Sequence, residues 1–566
     1  MFDKKVSTLL NTKKVENAFV REGIKASNET LSGNGSLKYS TSGNDFVDNF
    51  CSISKFKEPR SYNEIAADME RLWSQDPLLC LKLTVYIRLI TRKSKILEKT
   101  YNTQKGQGLR HEGIMRLMWL AINHKNTFQY NFPFFIAAGS WKDVFTMLNL
   151  DLQYNGWKNR KLDWNLFRDF IVEALFMYND QTNLVRKYLP TIRTNSKCKT
   201  LESQADTIIG RWLAYEISKK VDSKGNKIDK SVMYRNYRQI KSYSFGHQWQ
   251  QLISNQLYDA INFDKIPGRA LNLMVNSKFL YNHNLREKYL EWIKPKTSVK
   301  YTGFVFELFK PLEPYYNYYA GKYKYDSIDE ATKQTINAQF ETLLNGENIE
   351  STFLVAKDIS SSMTSKAMGC SVSSYSVAKG IALYFSKLLS GPFANSYIDF
   401  DDKCEIKQWK GNTPVENWIN DGSCAYGSTN FISISRLFGK IKNNGVPENE
   451  FPNGLLCISD GEFDARGENN ITTFNRFREI LREEGFSDEY VKNFKLVLWD
   501  VPNNYYGKHE TKFEDFTDAP NSFHISGYDP SVVSFLMGKG YNPCNSKELF
   551  EAVMNQELLN DLKVVE

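Results

Sequence analysis

The chain has no run of about 18 apolar residues, so it offers no helix able to span a bilayer. Its opening stretch, MFDKKVSTLLNTKKVENAF, is basic but lacks an apolar core of signal-peptide length. The expected location is the cytoplasm (host cytoplasm or virion if the protein is viral), with no membrane partner. Eight cysteines, at 51, 80, 198, 370, 404, 424, 457 and 544, include no CxxC pair and no zinc spacing. A disulfide framework would add little to a chain of this length, and several of the cysteines sit in apolar runs such as GLLCISD. Reduced, mostly buried thiols are expected. The six histidines, at 111, 124, 247, 283, 509 and 524, have no mutual spacing for a triad or a metal. Neither Gly-x-Ser-x-Gly nor a P-loop occurs, so binding rather than catalysis is expected. No exact internal period is found either.

At 566 residues the chain is too long for one hydrophobic core, and two or more domains follow. Hydrophobic content of 41% and charged content of 24% describe an ordinary globular protein, with a high aromatic share of 14%. The net charge of +8 hides an asymmetry. Residues 351–566 carry 21 Lys and Arg against 29 Asp and Glu; the first 350 carry 52 against 36. A basic part with an anionic partner, joined to an acidic part with another task, is one reading. Charge that merely solvates the surface is the other.

Residues 26–48 are rich in Ser, Gly, Asn and Thr and nearly free of aliphatics. Such a stretch buries too little apolar surface to offset its ordering entropy, so residues 1–50 are expected to be a flexible arm. A short docking helix is expected within residues 1–20. Residues 51–349 read as α-helical. SYNEIAADMERLWSQD opens with Ser61 and Glu64 at capping-box spacing, and PLLCLKLTVYIRLITRKSK begins with Pro77 in a first turn. Further segments with apolar residues three and four apart, such as NLFRDFIVEALFMYND, predict antiparallel helix pairs in a HEAT-like solenoid or ring. Residues 350–566 change character. STFLVAKD, ANSYIDFD, GLLCISD and NFKLVLWD alternate with helical segments, which predicts a doubly wound α/β domain with its ligand site at the carboxyl ends of the strands.

The first of these strands ends in Asp358-Ile-Ser360-Ser-Ser362, a later loop reads Tyr426-Gly-Ser-Thr429-Asn, and GLLCISD ends in Asp460-Gly461-Glu462. Two carboxylates with three hydroxyls suit Mg²⁺, a hard cation that takes oxygen ligands and keeps some water. Mn²⁺ or Ca²⁺ are the alternatives. In order and spacing the three segments resemble the metal-ion-dependent adhesion site of von Willebrand factor type A domains. The resemblance implies that Ser360, Ser362 and Thr429 ligate directly, that Asp358 and Asp460 act through waters, and that an open position takes an acidic side chain of a partner protein. Lys357 departs from the apolar residue usual before Asp358, and a cation there is expected to weaken metal affinity. The nearby acids Asp399, Asp401, Asp402, Glu462 and Asp464 are expected to be solvated loop residues.

Gly139, Trp141, Lys142 and Asp143, with KLVLWDVPNN and HISGYDPSVVSFLMG, extend the resemblance over residues 60–560. It reaches an uncharacterised family of plants, fungi and viruses that joins a helical region to a type A domain; Tyr528 replaces Phe in the final turn. That architecture is similar to the TROVE-domain Ro ribonucleoproteins, which implies binding of single-stranded or structured noncoding RNA by the helical part. Candidate contacts are Arg92, Lys93 and Lys95 with Lys99; Lys158, Arg160 and Lys161; Lys219, Lys220, Lys224, Lys227 and Lys230; and Arg235 and Arg238 interleaved with Tyr234 and Tyr237. Taken alone, each cluster also fits a solvated helix face, and Trp141 also fits a core position. The alternative function is a protein–protein assembly component, such as a viral or phage structural or packaged virion protein, without a nucleic-acid role.

Overall fold

The computed structural model describes residues 23 and 25–566 except 53–59, 97, 178–179, 222–228, 243–247, 314, 318–321, 325–327, 345–347, 368–369, 424–426, 466–469, 502, 504–511, 529 and 538–541. The expected docking helix, Lys224, Lys227, Cys424 and Tyr426 lie outside the described residues. Two compact units emerge. The first takes in the described residues of Met1–Arg60 with Lys105–Gln107 and Ile266–Gln556. The second is Ser61–Gln104, Gly108–Lys265 and Glu557–Glu566. No helix among the described residues is long and apolar enough to cross a membrane.

The first unit opens with a hairpin, β1 (Glu29–Leu31) and β2 (Leu37–Tyr39), and a helix, α1 (Asp45–Ser52). A six-stranded sheet follows. Its elements in chain order are β3 (Phe353–Asp358), α2 (Ser374–Leu388), β4 (Ser396–Phe400), β5 (Cys404–Gln408), α3 (Ile432–Asn443), β6 (Gly454–Ser459), α4 (Thr473–Glu483), β7 (Lys495–Asp500) and β8 (Ser522–Ser526). The strands lie in the order β5-β4-β3-β6-β7-β8, all parallel except the edge pair β4–β5. Every residue of β3 and β6 is buried, as expected of strands covered on both faces. Alternation then sorts the side chains. Leu354, Ala356, Leu455 and Cys457 join Phe438, Phe474 and Phe477 of α3 and α4 in one core, and the odd-numbered side of β3 faces α2. The chain winds to one edge through β4 and β5, then returns to β6 and winds to the other. The reversal falls between β3 and β6, where such sheets leave a crevice at their carboxyl edge.

Two expectations about the chain's division are corrected. Residues 28–52 are ordered. Phe46, Val47, Phe50 and Cys51 of α1 are buried, with Phe50 edge-on to Phe550 at 5.4 Å, and Cys51 donates to the His524 carbonyl at 3.4 Å. Tyr39 and Phe513 exchange both backbone hydrogen bonds, each 2.8 Å. The polar stretch gains its order from backbone pairing, to which composition is blind. The boundary at 349 also falls elsewhere, because the segment from Ile266 groups with the sheet. Phe309 stacks on Trp418 at 4.2 Å, and the Trp418 indole donates to the Leu312 carbonyl at 3.0 Å.

The second unit is mainly helical: Tyr62–Gln75, Pro77–Arg88, Arg110–Asn123, Lys125–Ala138, Trp141–Asn155, Trp164–Phe176, Leu201–Val221 and Lys230–Ser242 are its longer helices. Ser61 and Glu64 form the capping box, and Pro77 starts its helix. That helix ends at Arg88, and Arg92–Ile96 pairs with Lys99–Gln104 as a hairpin instead of continuing helical. The Gly139–Asp143 motif is structural. Asp143 is buried between Arg88 (2.6 Å) and Arg110 (3.0 Å) and accepts from the Ser140 N–H at 3.0 Å. A Cβ on Gly139 would stand 2.2 Å from that carboxylate. Trp141 is a core residue.

Candidate metal centre

The parallel pairing of β3 with β6 brings Asp358 and Asp460 to the same end of adjacent strands. Past β3 the chain turns through Ser361–Thr364, and the Ser360 N–H donates to Asp358 Oδ1 at 2.8 Å. The Ser360 and Ser362 hydroxyls lie 3.1 Å apart. Ser459, the last residue of β6, donates to Asp358 Oδ2 at 2.5 Å, and Ser362 bonds the Asp460 carboxyl. Asn503 clamps the first and third loops, donating to Asp460 Oδ2 at 2.8 Å and to the Ser362 carbonyl at 3.0 Å. The second loop is fastened on both sides, by Ser361 N–H to Gly427 O (3.1 Å) and Asp464 N–H to Thr429 O (3.0 Å). Asp358, Ser360, Ser362, Thr429 and Asp460 are each 3% exposed or less. The three segments are thus brought together.

Burial, and next the Asp460 carboxylate, push the Asp358 carboxyl up to about 7 against its hydrogen bonds from Ser459 and Ser360. Burial likewise raises Asp460 against the bonds from Ser362 and Asn503. No buried lysine or arginine forms an ion pair with either carboxylate among the described residues. Two buried carboxylates without a cationic partner, beside neutral hydroxyls, are a donor set that a hard divalent cation fits. Among the described residues no group of three or more His, Cys, Asp and Glu could hold an ion, so an ion at this cluster would need the hydroxyls as ligands.

Lys357 does not face the site. It lies on the opposite side of β3 from Asp358 and pairs with Asp399 at 2.5 Å and Asp421 at 3.2 Å, while Lys379 of α2 pairs with Asp421 at 3.2 Å. Burial alone would raise the Asp421 carboxyl, but Lys357 and Lys379 override it and hold it well below the usual carboxylate range. The expected weakening of metal affinity by Lys357 therefore loses its basis, because the pleat turns its ammonium away. Asp399 is buried in this network, and Glu462 is buried against β1–β2, so neither is a solvated loop acid. Glu462 accepts from the Gly33 N–H, and the Asn34 side chain donates to the Glu462 carbonyl at 2.7 Å. Asp402 accepts from the Ser428 hydroxyl, bracing the second loop.

Residues 353–563 match a domain of unknown function, DUF7788. The match begins at β3 and contains all five residues of the cluster. The chain is also similar to the uncharacterized protein L728 of Acanthamoeba polyphaga mimivirus, 22% identical across 95% of this chain and 86% of that protein.

The basic candidates scatter over the second unit. Lys93 and Lys95 are exposed on one side of the 92–104 hairpin, but Arg92 is spent on the Ala137 and Gly139 carbonyls at 2.6 and 2.9 Å. Arg235 and Arg238 are exposed on Lys230–Ser242, whereas Tyr237 is buried and donates to the Pro190 carbonyl at 2.8 Å, which removes it as a stacking platform. Lys158, Arg160 and Lys161 share the loop before Trp164–Phe176. Sequence reasoning missed Ser459 and Asn503. Their signals were position alone: one residue before Asp460, and the last residue but one of KLVLWDVPNN.

Proposed function

We propose that this protein is a non-enzymatic binding scaffold with a HEAT-like helical part and a von Willebrand type A-like domain. Its type A-like domain holds one Mg²⁺ at Asp358, Ser360, Ser362, Thr429 and Asp460 and through it engages a carboxylate of a partner protein. Its basic helical part contacts RNA. The observation that carries the metal reading is the pair of fully buried carboxylates at the sheet's switch point, bonded by the Ser459 and Ser362 hydroxyls, with Thr429 buried on the loop fastened beside them. When bound, the cation would supply electrostatic attraction for an acidic ligand. The chain's own residues orient that site: Ser459 and the Ser360 N–H fix the Asp358 carboxylate, and Asn503 fixes Asp460.

The test is a Mn²⁺ titration of EDTA-stripped protein followed by electron paramagnetic resonance. One ion per chain is expected in the wild type, with loss in Asp358→Ala and Thr429→Ala. Equal binding by wild type and both variants would overturn the assignment. Nucleic acid that copurifies and is released by salt supports the RNA part. Association that is salt-insensitive, EDTA-sensitive and free of RNA supports a protein assembly role instead.

A further inference from the structure

The second unit contains a cavity of about 730 Å³ between the loop Trp157–Leu162, the start of Trp164–Phe176 and one side of Leu201–Val221. Its size falls within the range of small-molecule sites, roughly 300–1,000 Å³. The walls combine large aromatic rings with cations. The Arg160 guanidinium lies 3.9 Å from the Trp157 ring centre and 4.7 Å from that of Trp164. Trp164 meets Trp157 and Trp212 edge-on at 5.3 and 4.7 Å. Trp164 is anchored by its indole N–H on the buried Asp151 at 3.0 Å. Trp157 is different: it remains 43% exposed, and Tyr215 on the facing helix 46%.

The charges point the same way. The cavity's two acids are engaged elsewhere, Asp163 by Lys125 and by capping its helix, Glu216 by Arg168 at 3.8 Å. Lys158, Arg160 and Arg211 line the same space and form no ion pair with a described carboxylate. Three cations without carboxylate partners beside exposed indole and phenol rings attract an anion that also has a flat π-face. A guanidinium lying on an indole extends the platform and keeps its N–H edge for phosphate oxygens.

We propose that this cavity holds one nucleotide, its base stacked on the Trp157–Arg160 layer and its phosphate on Arg211 and Lys158. The proposal deepens the RNA reading and rests on it for the source: the nucleotide is a residue of a single strand, and a free mononucleotide is the other source of the same chemistry.

The test uses the full chain with two probes, a fluorescein-labelled single-stranded 12-nucleotide RNA by anisotropy and AMP by calorimetry. Trp157→Ala and Arg211→Glu, both at exposed positions, are each expected to weaken RNA binding about tenfold, the first through the loss of one base–aromatic stack and the second through the loss of a phosphate contact. Trp157→Phe, which keeps a ring, should stay within about threefold. Unchanged affinity in both variants overturns the cavity as the site while leaving RNA binding elsewhere intact. Wild-type binding of AMP but not of RNA, lost in both variants, upholds the cavity and removes the strand reading. Binding of neither probe overturns the proposal. So does displacement of the RNA by poly-glutamate as effectively as by unlabelled RNA, since that ligand has charge and no base.

Discussion

Lys357 and Asp399 occupy paired positions on the neighbouring parallel strands β3 and β4, and their charged groups meet at 2.5 Å in a fully buried setting. The pairing leaves the adjacent Asp358 on the other face, beside Asp460. One strand thus separates a network of paired charges from two carboxylates that form no ion pair among the described residues.

Lys357 is the one ammonium that pairs with both Asp399 and Asp421, and its loss leaves each acid a single lysine, Lys407 and Lys379. Lys357→Met is expected to destabilise the protein by about 1.5–3 kcal/mol in urea unfolding, the contribution of a charged hydrogen bond. Lys407→Met, whose ammonium is partly exposed and shares Asp399, should cost under about 1 kcal/mol. Equal effects would show that the network does not carry the difference.

Mg²⁺ should raise the melting temperature of EDTA-stripped wild type and leave Asp460→Asn unmoved. The reason is mass action on a site present only in the folded chain. A thermal melt at several MgCl₂ concentrations checks it, with Ser360→Ala expected to show a reduced shift.

The same experiment has a pH dependence. Asp358 carries a folded pKa of about 7, above the ordinary 3.8, so without metal its ionisation opposes folding as pH rises between those values. Protons and metal compete for it, and ligands bind in their deprotonated form. The Mg²⁺-induced shift should therefore grow from pH 5 to pH 8. A shift that shrinks over that range contradicts the assignment of Asp358.

Glu462→Ala removes the acceptor of the Gly33 N–H and is expected to loosen the β1–β2 hairpin by about 1.5–3 kcal/mol. Faster amide hydrogen exchange at residues 32–36, with the core of β6 unchanged, is the readout.

Asp143→Ala leaves Arg88 buried without its partner and should destabilise the second unit by about 3–5 kcal/mol. Lys142→Ala, at an exposed position, should change little. The contrast separates a structural motif from a binding one.

Local patterns in the sequence determined much of this protein. Ser61, Glu64 and Pro77 mark helix starts by chemistry confined to one turn, and the uninterrupted apolar runs at Leu354 and Leu455 mark strands buried on both faces. The spacing of Asp358, Ser360 and Ser362 along a strand end was legible for the same reason. Only the tertiary structure decided which charges meet. It paired Lys357 with Asp399 and Asp421, spent Arg92 on carbonyls, buried Tyr237, ordered a polar arm through backbone pairing, and gathered Trp157, Arg160 and Arg211 around one cavity. Those outcomes depend on contacts between residues far apart in the chain, and neither composition nor periodicity encodes which distant surfaces pack together.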